Sequence, residues 1–205
     1  LSRSRRFPQP SWRSGESFYA TSQPTTFRRY YLGVLGHTRG IEEPALRILA
    51  IYLDELRRLK AEPVRVLTVM NRTDLTEDDA KAVLRLYDVE LCYVNRKATG
   101  GSIVDKLSQV ERGLLQDNLG GLQTKLLTGD QSMDEVGATL ERIEKEAQET
   151  ADPRLDVVVA TNLISHGVDL ERINMMAVCG MPSHYAEYVQ ATSRCARSHP
   201  GLVAV

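Results

Sequence analysis

The sequence predicts an α/β fold, a three-layer α/β/α sandwich around a mostly parallel sheet. Three observations point there. Short apolar runs alternate with longer segments of helical periodicity along most of the chain. The runs are nearly all apolar instead of alternating with polar residues, as strands buried on both faces are. Polar turns join each run to the next helix, the order of repeated β-α units. A chain of 205 residues, 42% hydrophobic and 26% charged, can bury one good core of this kind and leaves little room for a second.

Residues 1–27 are rich in Arg, Ser, Pro and Thr, and Arg3, Arg5, Arg6 and Arg13 make them a basic arm. This segment reads as an inter-domain linker in preference to a nucleic-acid contact, the other use of such an arm. Residues 28–205 form the domain. Residues 28–36 (RRYYLGVLG) read as the first strand, closed by Gly36. Glu43-Pro44 suits a helix start, and Leu46, Leu49, Ala50, Leu53 and Leu56 put an apolar stripe along residues 45–59. The β-branched run 64–70 reads as a strand, and Thr73 or Asp74 is placed to cap a helix over 77–87. Residues 89–95 (VELCYVN) read as a strand, residues 96–101 as a polar turn, and residues 102–115 as a helix. A strand over 123–128 ends at Gly129-Asp130. Ser132 or Asp134 caps the helix that follows, through residue 147, with Leu140 and Ile143 facing the core.

The richest stretch is 156–197. An apolar strand (156–161) runs into a polar turn containing Gly167-Val168-Asp169, and a second apolar run covers 174–180. Met181-Pro182-Ser183 breaks it and offers Ser183 as a helix N-cap. The predicted helix carries Gln190, Arg194 and Arg197. At about 100° per residue, positions i, i+4 and i+7 fall within roughly 60° of one another. One amide and two guanidiniums then point the same way beyond the strand ends, where open α/β sheets bind ligands. Two converging arginines suit a polyphosphate, because each is a planar, permanently charged fork. On spacing alone, a solvated helix face with two surface arginines accounts for them equally well.

ATNLISHGVDL (160–170) and QATSRCAR (190–197) resemble motifs V and VI of a superfamily-2 helicase, in its second RecA-like domain. The turn after residue 95 resembles motif IV, and that around Gly129 resembles motif IVa. The resemblance implies a RecA-like sandwich and assigns roles. One of Arg194 and Arg197 is the arginine finger and the other binds the γ-phosphate or couples ATP to nucleic acid, with Gln190 beside them. Asp169 accepts hydrogen bonds from ribose hydroxyls, and Gly167 allows close backbone approach. Thr161, Asn162, Asn95, Arg96, Lys97 and Gly129 contact the phosphate backbone of DNA or RNA. ATP and Mg2+ are the implied cofactors, with the magnesium ligands in a preceding RecA-like domain. The wording of the two motifs is most similar to the helicase subunit of DISARM-type anti-phage systems, which implies a defence role and protein partners. Ala191 and Ser193 depart from the usual arginine and glycine of motif VI. They leave a non-catalytic RecA-like scaffold as the alternative.

No G-x-x-x-x-G-K-(S/T) loop occurs in the chain, and no acidic D-E-x-x magnesium motif precedes the first strand. Alone it is therefore expected not to hydrolyse ATP, and to supply half of a site shared with the preceding domain. Both ends read as cut from something longer. The three cysteines (Cys92, Cys179, Cys195) form no C-x-x-C pair, so no zinc site or disulfide framework is expected. They read as reduced, buried thiols of a cytoplasmic protein. No apolar run approaches the ~18 residues of a membrane span. Ser183-His184 lacks a G-x-S-x-G elbow, which argues against a hydrolase. The net charge of −1 argues neither for nor against a nucleic-acid partner.

Overall fold

Three runs, apolar except for Glu90, make the buried centre of one sheet: β2 (Glu90–Val94), β4 (Val157–Ala160) and β5 (Met175–Cys179). The computed structural model describes residues 29–36, 40–69, 74–114, 122–145, 155–161, 172–197 and 199–205. Around the centre lie β3 (Thr124–Leu127), β6 (Gly201–Ala204) and β1 (Arg29–Leu32), in the order β1-β6-β5-β2-β4-β3. Every pairing is parallel, with Leu91 opposite Val158 and Met176, and Arg29 opposite Gly201.

The period of two along each strand sorts its side chains between two layers. Leu91, Tyr93, Val158, Ala160, Met176 and Val178 face one core, under α5 (Met133–Lys145) and α6 (Tyr185–Thr192). Cys92, Val94, Val157, Val159, Ala177 and Cys179 face the other, under α1 (Glu42–Ala61) and α4 (Lys97–Leu114). The layer contact is close enough that a Cβ on Gly100 would meet Leu126 Cδ1 at 2.7 Å. All three cysteines are buried and free. No helix among the described residues is long and apolar enough to cross a membrane.

The structure corrects several expectations. The run expected as a strand over 64–70 is helical over its described residues: Pro63–Val69 is a helix, α2, and residue 70 lies outside the described residues. Proline favours a first helical turn, and Pro63 and Val66 are buried while Val64 and Arg65 are exposed, a spacing of three. Val66 packs with Leu56, Ala80 and Leu84, so tertiary contact outweighs β-branching. The cap of α3 (Glu77–Arg85) is Thr76, in a reciprocal capping box with Asp79, and not Asp74; Thr73 lies outside the described residues. Helix α4 starts at Lys97, five residues before Ser102, and takes in the stretch expected as a turn. Ser183 does not cap α6. His184 holds the N-cap position, without a side-chain bond.

The largest correction concerns α6. It ends at Thr192, so Arg194 and Arg197 lie beyond the helix and share no helix face with Gln190. Eight residues advance about 12 Å at about 1.5 Å each, close to the length of a four-residue strand. Running back along the sheet, α6 therefore returns the chain to the level of the strands' first residues. The arginines sit there, not beyond the strands' carboxyl ends.

Candidate functional site

The residues singled out from the sequence fall at two opposite ends of the sheet. At the carboxyl ends of the strands are Asn95, Arg96 and Lys97 after β2, Gly129 after β3 and Thr161 after β4. The Asn95 amide donates to the carbonyls of Gly180 (3.2 Å) and Met181 (2.8 Å), tying the end of β2 to the end of β5. Gly180 has φ +87°, where a side chain is strained. Arg96 is exposed. Lys97 forms an ion pair with Asp130, each 62% exposed, and this bond holds the Asp130 carboxyl below its ordinary range. Gly129 borders open space, and a Cβ on it would meet nothing within 4 Å. Thr161 is only 7% exposed, and its N–H donates to the Leu127 carbonyl at 3.1 Å.

Beside these residues a cavity of about 630 Å³ opens between α1, α4 and the ends of β2 and β5. Glu42, Asn95, Arg96, Thr99 and Lys106 line it. Glu42 accepts from Lys106 and from Ser102 Oγ (2.8 Å), and the Lys106 bond is the main cause of its lowered pKa. Sequence reasoning missed this group, because its members are about sixty positions apart and carry no motif.

At the opposite end lies the turn that carries the arginines. Its backbone continues α6 with bonds from Arg194 N to Ala191 O (3.1 Å) and Cys195 N to Thr192 O (3.3 Å), then breaks at Ala196, φ +56°. Ala196 N donates to Ile173 O at 2.8 Å, which pins the turn to the entrance of β5. Arg29, at the start of β1, donates from Nε to Cys195 O (2.6 Å) and from Nη2 to Ser193 O (3.0 Å). Arg194 and Arg197 are half-buried, whereas Gln190 is exposed one turn back along α6. Ala191, in the place where the motif usually has arginine, is 1% exposed and packs in the core. A guanidinium there would be stripped of water. Asn162, Gly167 and Asp169 lie outside the described residues. Among the described residues, no group of three or more His, Cys, Asp or Glu side chains is placed to hold a metal ion.

Each end has a further side-chain tie. Tyr93 near the end of β2 donates its phenol to Glu187 in the first turn of α6 at 2.5 Å. Arg172, ahead of β5, is buried and donates to the carbonyls of Ile143 and Arg85.

Comparison with known proteins gives three results. Residues 89–199 match the family model described as helicase conserved C-terminal domain. Over 212 aligned residues, 96% of this chain, the sequence is 28% identical to the DISARM protein DrmA of Bacillus paralicheniformis, and it spans 17% of that relative's length. Among the solved structures that share its fold are two of Prp28. The RNA helicase Prp28 from Chaetomium thermophilum, bound to ADP, has a TM-score of 0.51 and 15% identity, over 90% of this chain and 34% of that one. The yeast DEAD-box splicing factor Prp28 has a TM-score of 0.50 and 13% identity, over 92% and 31%. The parallel six-stranded sheet between helical layers is thus the RecA-like sandwich.

Proposed function

The chain belongs to the helicase conserved C-terminal domain family, and from that premise we propose that it is the second motor half of an ATP-dependent nucleic-acid helicase or translocase. ATP lies between this domain and a preceding RecA-like domain of the same protein. Arg194 and Arg197 meet the γ-phosphate when the two domains close, one as the arginine finger. Charge that builds on the equatorial oxygens of the transferring phosphoryl group is then met by a positioned guanidinium. Gly167 and Asp169, a few positions before Arg172 in the sequence, take the ribose. The preceding domain supplies the phosphate loop and the magnesium ligands, and Mg2+ neutralises charge on the β- and γ-phosphates when bound.

DNA or RNA lies across the carboxyl ends of the strands, on Arg96, Lys97, Thr161, Asn162 and Gly129. Asn95 takes part through its neighbours, since its amide already bridges two strand ends. These groups hold phosphates and carry no base code. Nucleotide and nucleic acid thus bind at opposite ends of one sheet, and domain closure couples them. The likeness to a DISARM protein supports a place in anti-phage defence, in the cytoplasm and alongside protein partners.

One observation carries this reading. Two arginines occupy a turn whose backbone is tied at both sides to the sheet, which is the pre-organisation a transition-state contact needs. The test is the ATPase rate of the full-length protein with and without nucleic acid. A rate raised on the order of tenfold or more by nucleic acid fits coupled cleft closure. A full-length protein that binds nucleic acid and turns over no ATP would replace the motor with the scaffold.

A further inference from the structure

We infer that Arg29 is a positioning residue for the arginine turn: its guanidinium straddles Arg194 and sets the direction in which that side chain leaves the backbone. This rests on the reading of Arg194 as a γ-phosphate contact. Arg29 lies outside residues 89–199, which carry the family match, and 164 and 166 positions away from its two partners.

The geometry is specific. The turn's own backbone bonds end with Thr192 O as acceptor, and Arg29 takes the next carbonyls, those of Ser193 and Cys195. These are the residues immediately before and after Arg194. Carbonyls at a helix C-terminus carry negative partial charge and lack intrahelical donors, so a cation there is favourable. Bonds from a charged donor are roughly twice as strong as neutral ones. Both come from one planar group, so the two peptide units are held at a fixed separation.

The turn needs such support. Ala196 at φ +56° sits in a region that disfavours a residue with a Cβ, and it persists only where its surroundings over-determine it. Three contacts do so: Arg29, the bond from Ala196 N to Ile173 O, and the close approach of Gly201. Gly201 is the register partner of Arg29, and a Cβ on it would meet the Asn174 carbonyl and lie 2.8 Å from Ala196 Cβ. The charge of Arg29 is felt at the turn as well. Burial pushes the Cys195 thiol up to about 12, and Arg29 opposes that rise.

A purely structural Arg29 would hold the edge strand to the sheet and affect folding alone. The two roles separate in the full-length protein, by single-turnover ATP hydrolysis with nucleic acid bound and by ATP affinity, for Arg29→Gln, Arg29→Lys, Arg194→Ala and Arg29→Gln/Arg194→Ala. Arg29→Gln is expected to lower the rate about tenfold or more while ATP affinity stays within about threefold. Arg29→Lys recovers little, because an ammonium is a point charge and not a fork. In the Arg194→Ala background, Arg29→Gln should cost less than about twofold, since the residue it positions is gone. Two results overturn the inference and leave the arginine reading standing: Arg29→Gln at wild-type rate beside a slow Arg194→Ala, or equal losses from Arg29→Gln in both backgrounds. If Arg194→Ala itself runs at the wild-type rate, the reading of Arg194 fails and this inference with it. Should Arg29→Gln not fold, Arg29→Lys, which keeps the charge, carries the same comparison.

Discussion

Tyr93 and Glu187 are joined by a 2.5 Å hydrogen bond between a buried phenol and a carboxylate, one on the central strand β2 and the other on α6. Burial first, and the Glu187 bond second, push the phenol's pKa well up. Tyr93 stands two residues before Asn95, and Glu187 seven before Arg194, so the bond fixes the helix that leads to the arginine turn against the strand that leads to the proposed nucleic-acid contacts. Tyr93→Phe should destabilise the protein by about 1–3 kcal/mol, because the carboxylate keeps its partial burial and loses its donor. Glu187→Gln keeps an acceptor and should cost less. Urea unfolding midpoints of the two variants measure this, and a Tyr93→Phe protein as stable as wild type would contradict it.

Glu90 opens β2 fully buried, and neither of its carboxyl oxygens has a hydrogen-bond partner among the described residues. Burial raises its pKa well above the ordinary value, the neighbouring Asp156 raises it further, and Arg57 pulls it back only in part. The native state therefore holds a proton that the unfolded chain releases near pH 4.5. Stability linked to Glu90 is complete below that pH and is lost as pH rises towards the native-state pKa. Glu90→Gln removes the loss. Relative to wild type, the variant should gain stability between about pH 5 and about pH 8, read from denaturant midpoints at the two values. A difference that does not change with pH would show that Glu90 is not the group responsible.

Lys97 and Asp130 make opposite predictions for nucleic-acid affinity. Lys97→Ala should weaken binding to all sequences alike and reduce the salt slope by about one, as loss of a phosphate contact does. Asp130→Asn removes the carboxylate that pairs with Lys97 and should strengthen binding. Titrations at several salt concentrations decide it. A changed sequence preference with an unchanged slope would mean that Lys97 does not meet phosphate.

What could be read from the sequence was what local pattern encodes. The strands at 91–94, 157–160 and 175–179 are continuous apolar runs, and the parallel sheet follows from their alternation with amphipathic helices. The wording of two short motifs was enough to point to the family. Contacts distant in sequence were not legible. The end of α6 is set by Arg29, Ile173 and Gly201, contacts that helix periodicity does not encode, so regular helix spacing carried the arginines too far along a helix. The bonds from the Asn95 amide to Gly180 and Met181 could not be seen in the sequence. One local signal was present and passed over: Thr76 followed three positions later by Asp79 is a capping box.

The arginine turn is tested most directly by single-turnover ATP hydrolysis in the full-length protein with nucleic acid bound, comparing wild type, Arg194→Ala, Arg197→Ala and the double variant. Both guanidiniums are proposed to meet the γ-phosphate only in the closed state. Each single loss should then lower the rate far more than it lowers ATP affinity, up to the order of 10³–10⁵ for the arginine that acts as finger. The double variant should lose less than the product of the single losses, because the two residues serve one closed state. Single variants that both hydrolyse ATP within about twofold of wild type, far short of that range, would contradict the motor reading and leave the turn as structure alone.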